Sequence, residues 1–435
     1  MTDASTANPK AKPKAKAPRK SPRLKLSAPD ASDLSGPQAP APLSAETPPS
    51  AQPPMVATTP APAAEAPAPP ASTPQAPPPS QPSATESTVN FSRGLHDWLS
   101  TQNCSLAFSC YQSGHLFMVG RGGGAAINLN GQNFGRTMGI HALGNRLYVG
   151  TLFQIWRLEN ALAAHERANT IHDRLYLPRT AQTIGDVDIH EMATDRAGRL
   201  VFVNTKFSCL AITSPTRGFT PIWKPTFISK LAAEDRCHLN GLAMDGGVPR
   251  YVTAVSRSDV TMGWRNRRHE GGVLIDVQSD RIITDQLSMP HSPRVHAGAV
   301  WALDSGRGQL IRIDPETGAR EDIAFCPGFM RGLAFSGKFA IVTLSLPRGD
   351  QAFAGLQLAD EIKKRDGEPW CGLMIIDTTT GDTVEWVKVE GSITELFDVA
   401  VLPGVMSPIS MSPEAPGLRT LYSYDADFGP LSPPA

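Results

Sequence analysis

A short strand of small residues recurs along this chain every 40–65 residues or so, each time followed by an apolar strand. Met138-Gly-Ile-His-Ala142 precedes Asn145-Arg-Leu-Tyr-Val-Gly150, and His190-Glu-Met-Ala193 precedes Gly198-Arg-Leu-Val-Phe-Val203. Asn240-Gly-Leu-Ala243 pairs in the same way with Arg250-Tyr-Val-Thr253, His291-Ser-Pro-Arg294 with Ala299-Val-Trp-Ala302, and Arg331-Gly-Leu-Ala334 with Lys338-Phe-Ala-Ile-Val342. Phe397-Asp-Val-Ala400 opens a sixth unit that ends early. The period is that of a four-stranded propeller blade. Small residues at the start of each unit suit the crowded inner strand of a blade. The expected fold is therefore all-β, a six-bladed β-propeller.

The sixth unit lacks outer strands of its own. The segments Ser105-Leu-Ala-Phe-Ser-Cys-Tyr-Gln112, His115-Leu-Phe-Met-Val119 and Ala125-Ala-Ile-Asn-Leu129 are expected to supply them. A closing blade built from both ends removes the free sheet edges. Seven blades is the alternative, should residues 105–129 carry an inner strand of their own. Turn signals such as Asp314-Pro-Glu-Thr-Gly318 punctuate the strands. Helical periodicity is confined to 93–100, 355–365 and a short stretch near 159–166.

Composition sets the domain limits. Residues 1–90 hold 22 of the 40 prolines and no aromatic residue; the first is Phe91. Such a segment cannot bury enough surface to offset its chain entropy, so a disordered Pro/Ala-rich tail is expected over 1–90. The domain is expected over 91–405, with an irregular C-terminal tail over 406–435. Eight Lys and Arg between Lys10 and Lys25 make the tail's start basic, but no aromatic interleaves them to stack on bases, so there is no clear nucleic-acid signal. The formal net charge is zero and names no partner. No apolar run reaches the ~20 residues of a membrane span. The six cysteines form no Cys-x-x-Cys pair, which argues against structural zinc and for buried thiols in the cytoplasm.

The chain resembles an uncharacterised bacterial family of β-propeller proteins, known as a conserved hypothetical domain. The motifs that carry the resemblance, beside Ser105 to Gln112, are Asp188-Ile-His-Glu191, Cys237-His-Leu-Asn-Gly241, Ser288-Met-Pro-His-Ser-Pro-Arg294, Cys326-Pro-Gly-Phe-Met-Arg-Gly332 and Glu395-Leu-Phe-Asp-Val399. It covers about 91–405. It implies the fold and the domain limits and brings no activity with it.

The repeat register points to a site. The residues just before each small core are Met138, His190, Asn240, His291, Arg331 and Phe397; two positions earlier stand Arg136, Asp188, His238, Met289, Phe329 and Glu395. Strand side chains alternate with period two, so both sets share a side, at one mouth of the channel. Arg136, His238 and Arg331 are expected to hold a small anionic ligand or a protein segment, because a guanidinium clamps carboxylate or phosphate. Asp188, His190, Asn240, His291 and Glu395 are the candidate ligands of one divalent metal ion, since imidazole and carboxylate are common donors. The layout is similar to gluconolactonase-like six-bladed propellers, which implies a metal-assisted hydrolase or lactonase as the alternative. The alternative to any ligand site is that these groups hydrogen-bond one another and knit the blades. A further reading is a protein-interaction scaffold tethered by its tail.

Other motifs are set aside. His190-Glu191 opens like a zincin helix, but Thr194 stands where the second His belongs. Gly120-Arg-Gly-Gly-Gly124 joins two strands, so it is read as a hairpin and not a phosphate loop. Two long insertions, 258–271 with Trp264, Arg265, Arg267, Arg268 and His269, and 347–369, are placed to cover the mouth.

Overall fold

The computed structural model describes residues 23–26, 87–347 and 355–423. Its strands form six sheets, antiparallel but for one short added strand, each opening on one of the small-residue strands found in the sequence. Blade one runs Ile140–Leu143, Arg146–Gly150, Gln154–Asn160 and Arg174–Thr183. Blades two to five begin with Ile189–Thr194, Leu239–Asp245, Pro290–His296 and Phe329–Ser336. In blade six the C-terminal strand Val399–Pro403 pairs with Cys104–Cys110, which continues through His115–Arg121 to Ile127–Asn133. The closing blade is thus shared between the two ends of the domain, and the seven-blade alternative falls.

Crowding explains the small inner strands. A Cβ on Gly139 would stand 2.1 Å from the His190 carbonyl oxygen, and one on Gly332 would stand 2.7 Å from Asp398 Cα. Those are contacts between neighbouring blades, so only glycine lets the inner strands approach. Further out, alternating side chains fill the gaps between blades. Leu147, Leu158 and Tyr176 of blade one pack with Leu116, Met118 and Leu402 of blade six.

Buried carboxylates bind the blades together inside the channel. Asp398 Oδ2 accepts the Ile140 N–H at 2.9 Å, and Oδ1 accepts the Val399 N–H at 2.8 Å, closing blade six onto blade one. Glu191 Oε2 accepts the Leu242 N–H at 2.6 Å, while Oε1 takes Arg294 Nη1 at 2.9 Å and the Ser292 hydroxyl, linking blade two to three and four. A second latch lies outside. Asp173 accepts the N–H groups of Met406 (2.9 Å) and Ser407 (2.7 Å), and Pro408–Ser410 adds a parallel strand to blade one.

Both ends differ from the expected limits. Ser87–Phe91 is a strand that pairs with Thr383–Glu390 and makes a fifth strand on blade five, and Arg23–Leu26 pairs with it in turn. Composition hid Ser87–Phe91 because a single aromatic marks it, yet Val89 and Phe91 are buried in the core between blades five and six. The C-terminal tail, expected to be irregular from 406, instead contributes the strand Pro408–Ser410. The expected disorder of the tail otherwise concerns residues outside those described. Phe91→Ala should lower the free energy of unfolding by about 3–5 kcal/mol, read from urea melts; a change within error would place the strand outside the folded domain.

Of the expected helices, two form. Leu95–Thr101 buries Leu95, Trp98 and Leu99, at the spacing of one helix face, and Gln357–Lys364 buries Leu358 and Ile362. The stretch near 159–166 is no helix: strand Gln154–Asn160 runs into it, because Leu158 is buried in the blade and sheet pairing overrides a modest helical preference. The glycine run is the expected hairpin, with Gly122 N–H bonded to the Ala126 carbonyl at 2.8 Å. All six cysteines are free and buried. Among the described residues no helix is long and apolar enough to cross a membrane.

Candidate functional site

The inner strands end at one mouth of the channel, around a cavity of about 480 Å³. Ten of the twelve residues picked out by the repeat register line it: Met138, His190, His291, Arg331 and Phe397 from the first set, and Arg136, Asp188, His238, Met289 and Phe329 from the second. The local backbone explains why. Asp188, His238 and Met289, at equivalent positions of blades two to four, have φ of 53°, 51° and 48°. This left-handed residue turns the chain sharply from the preceding blade into the inner strand. The side chain of the left-handed residue and, in blades two and four, the one two positions later then reach the same space.

Two residues depart from the expectation. Asn240 is buried within blade three and does not line the cavity. Its Oδ1 accepts the Thr253 hydroxyl at 2.8 Å, which holds the short side chain back. Glu395 is also buried and sits behind the wall, where it accepts the Tyr111 hydroxyl and lies 3.6 Å from Arg331 Nη2. The five expected metal ligands therefore do not surround one point. Among the described residues, no three His, Cys, Asp or Glu side chains are grouped so as to hold a metal ion.

What the mouth does assemble is three imidazoles. The rings of His190 and His238 lie 5.2 Å apart, those of His190 and His291 6.2 Å apart. Their protonation follows from their partners. His190 Nδ1 lies 2.9 Å from the Asp188 carbonyl oxygen and 2.8 Å from Thr205 Oγ1. The Thr205 hydroxyl already donates to the Leu239 carbonyl at 2.7 Å, so neither partner can give His190 a proton. Nδ1 must carry the hydrogen, and Nε2 the lone pair. His291 repeats the arrangement, with Nδ1 2.9 Å from the Met289 carbonyl. Burial is the main cause that pushes His190 down to about 4, and His291 well below its usual value, so both rings are neutral.

His238 is the opposite case. Its Nδ1 meets the Asp235 carboxylate at 3.0 Å. Burial works to lower this imidazole, but the charge and hydrogen bond of Asp235 outweigh it and raise the ring above its usual value. Trp264 stacks on the same ring at 4.3 Å and donates its Nε1–H to Asp235 at 2.8 Å. Burial likewise opposes the charge on Asp188, yet His190, His238 and Arg136 hold its carboxyl below the usual range. Arg136 Nη2 meets Asp188 at 3.1 Å.

The rest of the wall comes from loops and from the shared blade. Residue Tyr111 follows the strand Cys104–Cys110, and Thr261, Met262, Trp264 and Arg265 come from the first insertion. In the second insertion, 348–354 lies outside the described residues; Leu356, Leu358 and Ile362 pack on Trp264 and on Phe329, from outside the cavity. Sequence reasoning missed Asp235 and Tyr111. Asp235 could have been found from its place three residues before His238; Tyr111 had no signal beyond its motif.

A family model described as a domain of unknown function, DUF4915, matches residues 93–411, most of the chain. The chain belongs to DUF4915. The match spans every blade of the DUF4915 propeller and stops just after the Pro408–Ser410 latch. No curated protein matches the sequence. Solved structures similar to it include a chain of a nidogen/laminin complex (TM-score 0.45, 12% identity, 69% of this chain and 99% of that chain covered). Another is selenomethionine-substituted virginiamycin B lyase from Staphylococcus aureus (TM-score 0.34, 12% identity, 66% and 76% covered). No site residue of the DUF4915 domain is assigned from either.

Proposed function

We propose that the mouth of the propeller binds a small organic anion with an apolar, ring-sized body. The observation that carries this reading is the setting of Arg331. Its guanidinium lies over the rings of Phe329 (4.8 Å), Tyr111 (5.4 Å) and Phe397 (5.9 Å), and Nη1 donates to Ser345 Oγ at 3.1 Å. The rings, Ser345 and Glu395, 3.6 Å from Nη2, fix this guanidinium at the wall of the cavity, where it is suited to receive a further carboxylate with little loss of side-chain entropy. The cavity is of the size that takes small ligands. Met138, Met262, Trp264, Met289 and Phe397 give it apolar walls for the body of the ligand. The lining carries Arg136, Lys206, Arg265 and Arg331 against Asp188, Glu234 and Asp235, an excess of one positive charge that favours an anion over a bare cation.

The test is calorimetric titration with 4-hydroxybenzoate, an aromatic carboxylate of matching size. The protein should bind it, and Arg331→Gln should weaken binding about 10- to 100-fold, the roughly 1.5–3 kcal/mol of a charged hydrogen bond. Unchanged affinity in the variant, or no binding at millimolar ligand, would overturn the reading.

A further inference from the structure

The anion reading leaves the three imidazoles without a task. Each Nδ1 is engaged, by the Asp188 carbonyl, the Met289 carbonyl and the Asp235 carboxylate. No hydrogen bond to any of the three Nε2 atoms exists within the described residues, and all three residues line the cavity. Two of these nitrogens carry lone pairs; the third carries a hydrogen in the protonated form of His238, the form that the Asp235 carboxylate at its Nδ1 favours. A site that only held an anion would gain from three donors. This one places acceptors beside a donor, which is the equipment of acid–base chemistry.

We propose that the mouth hydrolyses a carboxylic ester of the bound aromatic anion, with His190 as general base, His238 as general acid and Asp235 as the residue that positions His238. This rests on the anion reading, which supplies the grip on the substrate. His190 Nε2 takes a proton from water as the water oxygen bonds to the acyl carbon. The bond from that carbon to the leaving oxygen then breaks, and His238 Nε2–H gives the leaving oxygen its proton. One water is consumed, and an acid and an alcohol leave. His190 ends protonated and His238 neutral, and exchange through the water-accessible cavity restores both.

The electrostatics choose between the two neutral rings. Asp188 favours a positive charge on His190, the charge it acquires as base. Burial above all, and then His190 and Arg331, oppose protonation of His291, so it remains an acceptor. Asp235 does for His238 what a carboxylate does for any acid–base imidazole: it fixes the ring and stabilises its charged form. The stacked Trp264 holds the same ring from the other side.

The probe is 4-acetoxybenzoate, whose hydrolysis to 4-hydroxybenzoate is followed by absorbance. The full chain should hydrolyse it faster than the same concentration of free imidazole. His190→Ala should lose on the order of 100-fold or more, while still binding 4-hydroxybenzoate. His190→Gln, which keeps a hydrogen-bonding group beside Thr205, should lose as much and guards against a folding defect. The rate should rise as pH passes about 4, where His190 becomes a base. It should fall again above the raised value of His238, and Asp235→Asn should move that falling limb to lower pH. Binding without turnover beyond free imidazole overturns the acid–base proposal alone, as does full activity in both His190 variants. No binding of 4-hydroxybenzoate overturns the anion reading, and this proposal with it.

Discussion

A chain ending at Glu395 should not reach a cooperative native state. The truncation removes the strand Val399–Pro403, so Cys104–Cys110, whose seven residues are all buried, becomes an open edge facing the channel. It removes the buried side chains Leu396, Phe397, Val399, Leu402 and Val405. At about 1.5–3 kcal/mol each, their loss is on the scale of the 5–15 kcal/mol that holds an ordinary domain folded. It also removes Asp398, which ties blade six to blade one through the Ile140 N–H. Urea melts followed by tryptophan fluorescence should show a broad, shallow transition. A synthetic peptide covering 396–411, added in trans, should restore the sigmoidal one. A truncated chain that unfolds as sharply as the full chain would refute closure by the shared blade.

Replacing Arg294 by Met should cost about 3 kcal/mol near pH 8, and clearly less near pH 5. Arg294 is the cation between Glu191, at 2.9 Å, and Asp398. Removing one partner of a buried pair typically costs about 3–5 kcal/mol, and the low end applies because the Arg294 side chain is 25% exposed. The pH dependence follows from Asp398, which burial and the Glu191 charge push up to about 7. Its carboxyl in an unfolded chain titrates near ~3.9. A group raised on folding contributes stability that is complete below its unfolded value and is lost as pH rises through its folded value, here between about 4 and 7. Without Arg294 the two carboxylates repel more strongly, so the variant should recover stability at pH 5 by protonating Asp398. Denaturant melts at the two pH values check this. An equal loss at both would show that Asp398 does not titrate in that window.

The inner strands were legible because two strong constraints act locally. Crowding at the channel demands small residues, and the sheet's two-residue period sorts side chains between blade gaps. Both leave marks in any single unit, and six units in series expose the register. That register placed His190, His291 and Arg331 correctly around one cavity, although 141 positions separate the first from the last. Closure from both chain ends was also legible, since a half-unit at one end and surplus strands at the other admit few solutions.

The parts that stayed hidden depend on contacts between units. Asn240 stands in register with His190 and His291, but a threonine on the neighbouring strand, Thr253, draws it out of the cavity. Glu395 is screened from the cavity by Tyr111 and Arg331, which come from blades six and five. Asp235 stands only three residues before His238, but no strand period or repeat register marks that contact, because a loop path sets it. The left-handed turns at Asp188, His238 and Met289 carry three different residue types, so they leave no common signature. The protonation of each imidazole depends on a carbonyl or carboxylate brought to its Nδ1 by folding. Period, side-chain size and turn chemistry are properties of adjacent residues, so the sequence alone determined the blades, their register and the mouth where polar side chains gather. Which of those side chains face the cavity, and which carry a proton, is set by burial and by neighbours from other blades; that was decided only when the ring closed.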